Sequence, residues 1–109
     1  MSPFAAGCTM LYLARMLGCP ALLVTGSYLG AISHTLTALR ALASESVVLL
    51  GVIVSESAAS VGLAETAAAI RQYTAVPVLE LPRLAPGVEP WRQAPELARP
   101  LLESRGTRL

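Results

Sequence analysis

The chain has 109 residues, of which 54% are apolar and 14% charged, and its net charge is +1. That length is one domain or a piece of one, and the apolar content excludes a disordered chain. All eight basic residues are Arg and all seven acids are Glu, with no Lys, Asp or Asn, so Schiff-base and P-loop lysine chemistry is excluded within these residues.

The arginines are scattered, so the chain carries no nucleic-acid-binding stripe. Cys8, Cys19 and the lone His34 form neither a zinc motif nor a disulfide framework. The two cysteines read as reduced, semi-buried thiols of a cytoplasmic protein. The longest uncharged apolar runs, residues 47–54 and 58–63, fall far short of the roughly 20 residues a membrane span needs. No basic region precedes the N-terminal apolar stretch, so a signal peptide is not expected.

In chain order, residues 1–6 read as the tail of something that precedes them. Residues 9–17 are predicted helical, with Met10, Leu13, Met16 and Leu17 at helical spacing. Thr9 is the N-cap candidate and Gly18 the C′ residue. Ala21-Leu22-Leu23-Val24, between Pro20 and Gly26, reads as a buried strand. Residues 25–30 hold two glycines and two hydroxyls and read as a turn. Ile32, Leu36, Leu39 and Leu42 then mark one face of a helix over residues 31–43.

Residues 47–54, VVLLGVIV, are continuously apolar and β-branched, the signature of a strand covered on both faces. Polarity changes abruptly at Ser55-Glu56-Ser57. A helix over residues 63–73 follows, with Ala67, Ile70 and Tyr73 or Thr74 inward. Residues 77–81 are a third strand, ended by Pro82. A proline-bearing loop runs over residues 83–90, and residues 94–105 form a last helix through Leu97, Leu101 and Leu102, kinked or restarted at Pro100. The order α-β-α-β-α-β-α predicts an α/β fold, a parallel sheet with right-handed crossovers. Three strands make a thin sheet, so the chain reads as half of a larger α/β domain.

Strand, glycine-bearing turn and helix is the unit α/β proteins use to hold anions at a helix start; it is equally an ordinary βα connection. His34 reads as a general base or as a structural residue near the helix start. Ser33 is a ligand donor or a helix N-cap, and Glu56 a ribose ligand or a solvated loop acid. Arg83 meets a phosphate or lies on the surface, and Trp91 packs the tail onto the domain.

The run LLVTGSYLGAISHTL, followed by GVIVSES and then PVLELPRL, resembles the C-terminal half of dethiobiotin synthetases. That family shows a strand of the form P-V-I-L-V, then a glycine, then L-G-x-I-N/S-H before a helix. Pro20-Ala21-Leu22-Leu23-Val24 and Leu29-Gly30-Ala31-Ile32-Ser33-His34 match in order and spacing. The resemblance covers residues 1–84, read as the C-terminal half of the α/β domain; residues 85–109 form a Pro-rich tail outside it. Cobyrinic acid a,c-diamide synthases share a similar L-G-x-I-N-H segment.

The resemblance implies a P-loop NTPase-like three-layer fold. It also implies ATP- and Mg2+-dependent closure of a ureido ring on 7,8-diaminononanoate and CO2, in a homodimer. Gly30, Ala31, Ile32 and Ser33 resemble the segment that holds the substrate's tail carboxylate across a dimer interface, with Ser33 where many members have Asn. Ser55 matches the position that reads the adenine edge, and Pro82, Arg83 and Leu84 resemble the loop lying over the adenine. In the family, the P-loop and magnesium-binding acids precede this segment, and Met1-Ser2-Pro3-Phe4 resembles the stretch just after an E-G-x-G-G run. No catalytic or metal-ligating residue is therefore assigned within the chain. The expectation is a ligase fragment inactive alone, or else a non-catalytic α/β module, half of a split P-loop protein, or a free-standing anion-binding domain.

Overall fold

A computed structural model of the chain describes residues 3–5, 8–87, 89–104 and 107–108. Two short antiparallel strands, β1 (Pro3–Ala5) and β2 (Cys8–Thr9), lead into helix α1 (Met10–Leu17). Then come β3 (Ala21–Gly26), α2 (Ala31–Ser44), β4 (Val48–Ser55), α3 (Leu63–Arg71) and β5 (Val78–Leu81). A 3-10 turn (Pro90–Gln93), α4 (Ala98–Ser104) and β6 (Thr107–Arg108) complete the order. The predicted α/β alternation holds, and β3, β4 and β5 are parallel in that order. The sheet differs from a purely parallel three-stranded one because β6 adds to β4 in the antiparallel sense at Val48 and Leu49.

β4 is the middle strand, as its unbroken apolar run demands. Leu49, Val52 and Val54 are fully buried in a core shared with Leu39 and Leu42 of α2, Ala67 and Ile70 of α3, and Val76 and Val78. The pairing of β3 with β4 shifts by one residue between Ala21 and Leu22. That irregularity lets Leu49 and Val52 enter the same core although their spacing is odd. On the opposite face Leu101 of α4 packs over Gly51, while Leu22 and Val24 of β3 remain 41% and 60% exposed.

The end of α2 is closed by backbone. Ser46 N–H donates to Ala43 O at 3.0 Å and Val47 N–H to Leu42 O at 3.1 Å, the paired bonds of a Schellman motif. Leu42 and Val47, both buried, supply its apolar contact. Ser46 occupies the left-handed position at φ 55°, where a side chain is strained and glycine is not.

Several expectations need correction. Met16 and Leu17 lie 66% and 63% exposed, and among the described side chains of α1 Leu11 packs against the core. An eight-residue helix offers room for one inward line, and helix phase gives it to Leu11. The helix expected over residues 94–105, kinked or restarted at Pro100, begins later: α4 starts at Ala98, so Pro100 falls in its first turn, where no N–H is needed. Leu101 is buried there and Leu102 is 73% exposed. α3 stops at Arg71, leaving Tyr73 exposed and Thr74 half-buried. Trp91 is 64% exposed and does not pin the tail. Cys19 is a free, exposed thiol rather than a semi-buried one. The side chains of Thr9 and Cys8, and residues 1, 2, 6 and 105, lie outside the described residues.

Two substitutions test this packing by urea unfolding. Ser46→Gly relieves the left-handed side chain and is expected to raise stability by about 1 kcal/mol. Leu49→Ala empties a fully buried site and is expected to cost about 2–5 kcal/mol.

Candidate functional site

The C-terminal ends of the three parallel strands lie in one row, Gly26 beside Ser55 and Ser55 beside Leu81. Open parallel sheets bind ligands at that edge. The loops that leave it are residues 27–30, 56–62 and 82–87.

Ser27 ties the first two loops together. Its side chain is fully buried. Ser27 N–H donates to Ser57 Oγ at 3.0 Å, and Ser57 N–H donates back to Ser27 Oγ at 2.9 Å. The Ser27 and Ser60 hydroxyls lie 2.6 Å apart, and Ser60 Oγ also accepts Gly62 N–H at 3.1 Å. Val61 N–H closes the set on the Ser27 carbonyl at 2.8 Å. The Ser27 and Ser60 hydroxyls each already accept a backbone N–H, and either can donate its proton to the other. Thr25 and Thr35 hydroxyls, 2.7 Å apart, fasten the strand to α2 just below.

The close approach needs Gly26. A Cβ there would fall 2.6 Å from Ser57 Oγ and 2.7 Å from Tyr28 Cδ1. Gly30 is the N-cap of α2 at φ 91° and provides no side-chain cap. Ala31 N–H donates to Tyr28 O at 3.0 Å and His34 N–H to Gly30 O at 3.1 Å. Ile32 and Ser33 stand in the first turn, where N–H groups have no preceding helical carbonyl.

The expected binding residues divide as follows. Gly30 and Ser33 are exposed, Ile32 is half-buried, and Ala31 is buried at 1% exposure. Ser33 is not the N-cap; it lies in the first turn and its carbonyl accepts the Thr37 hydroxyl at 3.0 Å. Ser55 sits half-buried in the middle of the strand row. Pro82 and Arg83 are exposed and Leu84 is half-buried. Glu56 is half-buried: its Oε1 accepts Arg83 N–H at 2.9 Å, and its own N–H donates to Leu81 O at 2.8 Å. Glu56 thus holds the third loop against the second, and Arg83 enters this contact through its backbone.

His34 has a structural partner. Tyr28 Oη lies 2.9 Å from His34 Nδ1, and the two rings stand 5.7 Å apart. The Ser27–Ser57–Ser60 set and the Tyr28–His34 pair were not read from the sequence. The available signal was the hydroxyl enrichment after both strands, Thr25-Gly26-Ser27 and Ser55-Glu56-Ser57, but hydroxyls in loops also satisfy solvent and give no pairing. Among the described residues no three His, Cys or Glu side chains gather as metal ligands. No described helix is long and apolar enough to cross a membrane.

Comparison with known proteins gives a consistent result. A family model described as an AAA domain matches residues 1–90. The chain is 49% identical over 86 residues to an ATP-dependent dethiobiotin synthetase BioD of Phenylobacterium zucineum, covering 76% of this chain and 37% of that protein. A protein of the same name from Methylobacterium nodulans is 48% identical over 80 residues, 72% of this chain and 36% of the relative. One from Caulobacter vibrioides is 42% identical over 73 residues, 67% and 33%. The chain therefore spans about a third of the length of the curated relatives it matches.

Removing the Ser27 hydroxyl loosens the link between the first two loops, which keep only the bonds made by the Ser27 backbone. Ser27→Ala is expected to leave Ser57 N–H without its acceptor, to cost about 1–3 kcal/mol, and to speed hydrogen exchange at the Ser57 amide. Unchanged exchange at Ser57 would remove Ser27 from this role.

Proposed function

The chain belongs to the AAA domain family, and from that premise we propose that it forms the C-terminal half of a dethiobiotin synthetase-like site. The observation that carries the proposal is the strand row Gly26–Ser55–Leu81, which gathers the turn at residues 27–33, Ser55 and the loop at residues 82–84 on one sheet edge. In this reading Gly30, Ala31, Ile32 and Ser33 receive the tail carboxylate of a small diamino acid. First-turn N–H groups and the helix dipole favour the anion, and the Ser33 hydroxyl adds one donor. Ser55 offers a single hydrogen bond to the adenine edge of ATP, and Pro82, Arg83 and Leu84, steadied by Glu56, cover the base.

The residues present do not fit the rest of the nucleotide. The chain contains no Lys and no Asp, and its described acids do not cluster. Without a P-loop Lys, an Asp or a gathered set of acids among the described residues, no phosphate cradle or magnesium site is assigned here, and no step of phosphoryl transfer is given to these residues. The chain binds and orients substrate and base, and alone it closes no ureido ring. A homodimer and a cytoplasmic setting belong to the same reading.

The test is titration of the isotope-labelled chain with 7,8-diaminononanoate, followed by amide NMR. Shifts confined to residues 27–34 are expected, with Ser33→Ala weakening binding about threefold to tenfold. Shifts that bypass this turn would overturn the assignment. ATP turnover by the chain alone would overturn its reading as a partial site.

A further inference from the structure

The turn that opens α2 is held by little of its own. Gly30, at φ 91° and ψ −4°, fills the third position of a turn that Ala31 N–H closes on the Tyr28 carbonyl at 3.0 Å, a place that favours glycine. Glycine is also the residue with the most backbone freedom to lose, and no side chain caps the helix start. A turn of this kind needs a further constraint to keep one geometry.

Tyr28 supplies it. A Cβ on Gly26 would fall 2.7 Å from Tyr28 Cδ1 and 2.9 Å from Cε1, so the ring rests on the end of β3. From there its hydroxyl meets His34 Nδ1 at 2.9 Å, six residues on. His34 N–H in turn donates to Gly30 O at 3.1 Å. The turn is thus fastened at both ends, with Ile32 and Ser33 between. Ala31 and His34 N–H are taken up inside it, so the first-turn donors left for a ligand are those of Ile32 and Ser33.

We propose that Tyr28 and His34 are positioning residues for this turn: the bond between their side chains holds the Ile32 and Ser33 N–H groups in one arrangement before a carboxylate arrives. A preformed seat loses less conformational entropy on binding. The positioning role rests on the reading of residues 30–33 as the carboxylate site, whereas the brace itself belongs to the ligand-free chain. The Thr25 and Thr35 hydroxyls, 2.7 Å apart, fasten α2 to β3 separately. Breaking the Tyr28–His34 bond therefore loosens the turn and leaves the helix docked.

A double-mutant cycle of Tyr28→Phe and His34→Leu tests the pair, with His34→Asn keeping a polar atom on the same carbon that carries Nδ1. Circular dichroism checks that each variant is folded. Without ligand, amide exchange at Ala31 and His34 is expected to quicken about threefold in either single variant. The dissociation constant for 7,8-diaminononanoate, read from amide shifts, is expected to rise about threefold in each. The double variant should be no worse than either single one, and His34→Asn should stay near the parent chain. Unchanged exchange and affinity in the single variants, or losses that add in the double one, would overturn the brace while leaving the carboxylate site standing. Lower urea stability with unchanged affinity would reduce the pair to a structural contact and overturn the positioning role. A parent chain that does not bind the diamino acid, although exchange quickens in the variants, would overturn the carboxylate reading and the positioning role with it.

Discussion

The structure depends on covering one strand. β4 has eight residues without a charge, and five of them, counting Leu49 and the run from Gly51 to Val54, are buried. Leaving such a strand in water would forfeit about 1.5–3 kcal/mol for each large side chain. The remaining elements answer that demand in turn. β3 and β5 take its hydrogen-bonding edges, α2 and α3 cover one face through Leu39, Leu42, Ala67 and Ile70, and α4 brings Leu101 to the other. Ion pairs add little by comparison. Arg71 and Glu80 approach to 3.5 Å at the surface, and exposed pairs of this kind contribute about 0–1 kcal/mol. The more informative Arg71 contact is its 2.6 Å bond to the Val78 carbonyl, which ties α3 to the start of β5.

The same arrangement decides where chemistry is available. Parallel strands end together, and the loops that follow them must share the edge. Here those loops are joined rather than independent: Ser27 binds the second loop and Glu56 binds the third. A ligand touching Ser33 on one side and Ser55 on the other would meet a surface already ordered by hydrogen bonds. Preorganisation of that kind lowers the conformational entropy lost on binding. It also explains why small residues dominate, since Gly26 leaves room for Tyr28 and Ser57 where any Cβ would collide.

Coverage is uneven across the sheet. The face occupied by α2 and α3 is closed, while the opposite face is covered over Gly51 and open over Leu22 and Val24. The family relationship fits this asymmetry, because the relatives have about two thirds of their length beyond the matched segment.

The amino-acid sequence by itself determined the α/β alternation, the central place of β4 and the loops at the strand ends. Those follow from local periodicity, breaker residues and the length of apolar runs, which act within a few residues of one another. It also held the resemblance carried by Leu29-Gly30-Ala31-Ile32-Ser33-His34. What only the tertiary structure decided depends on which neighbours arrive from afar. The phase of short α1, with Leu11 inward and Met16 outward, is set by what lies beneath it, and so is the choice of Leu101 over Leu102 in α4. The bonds from Ser27 to Ser57 and from Glu56 to Arg83 cross 30 and 27 residues of chain. A hydroxyl or carboxylate in a loop has many acceptable partners, water among them, and only the packed strands bring one particular partner within reach.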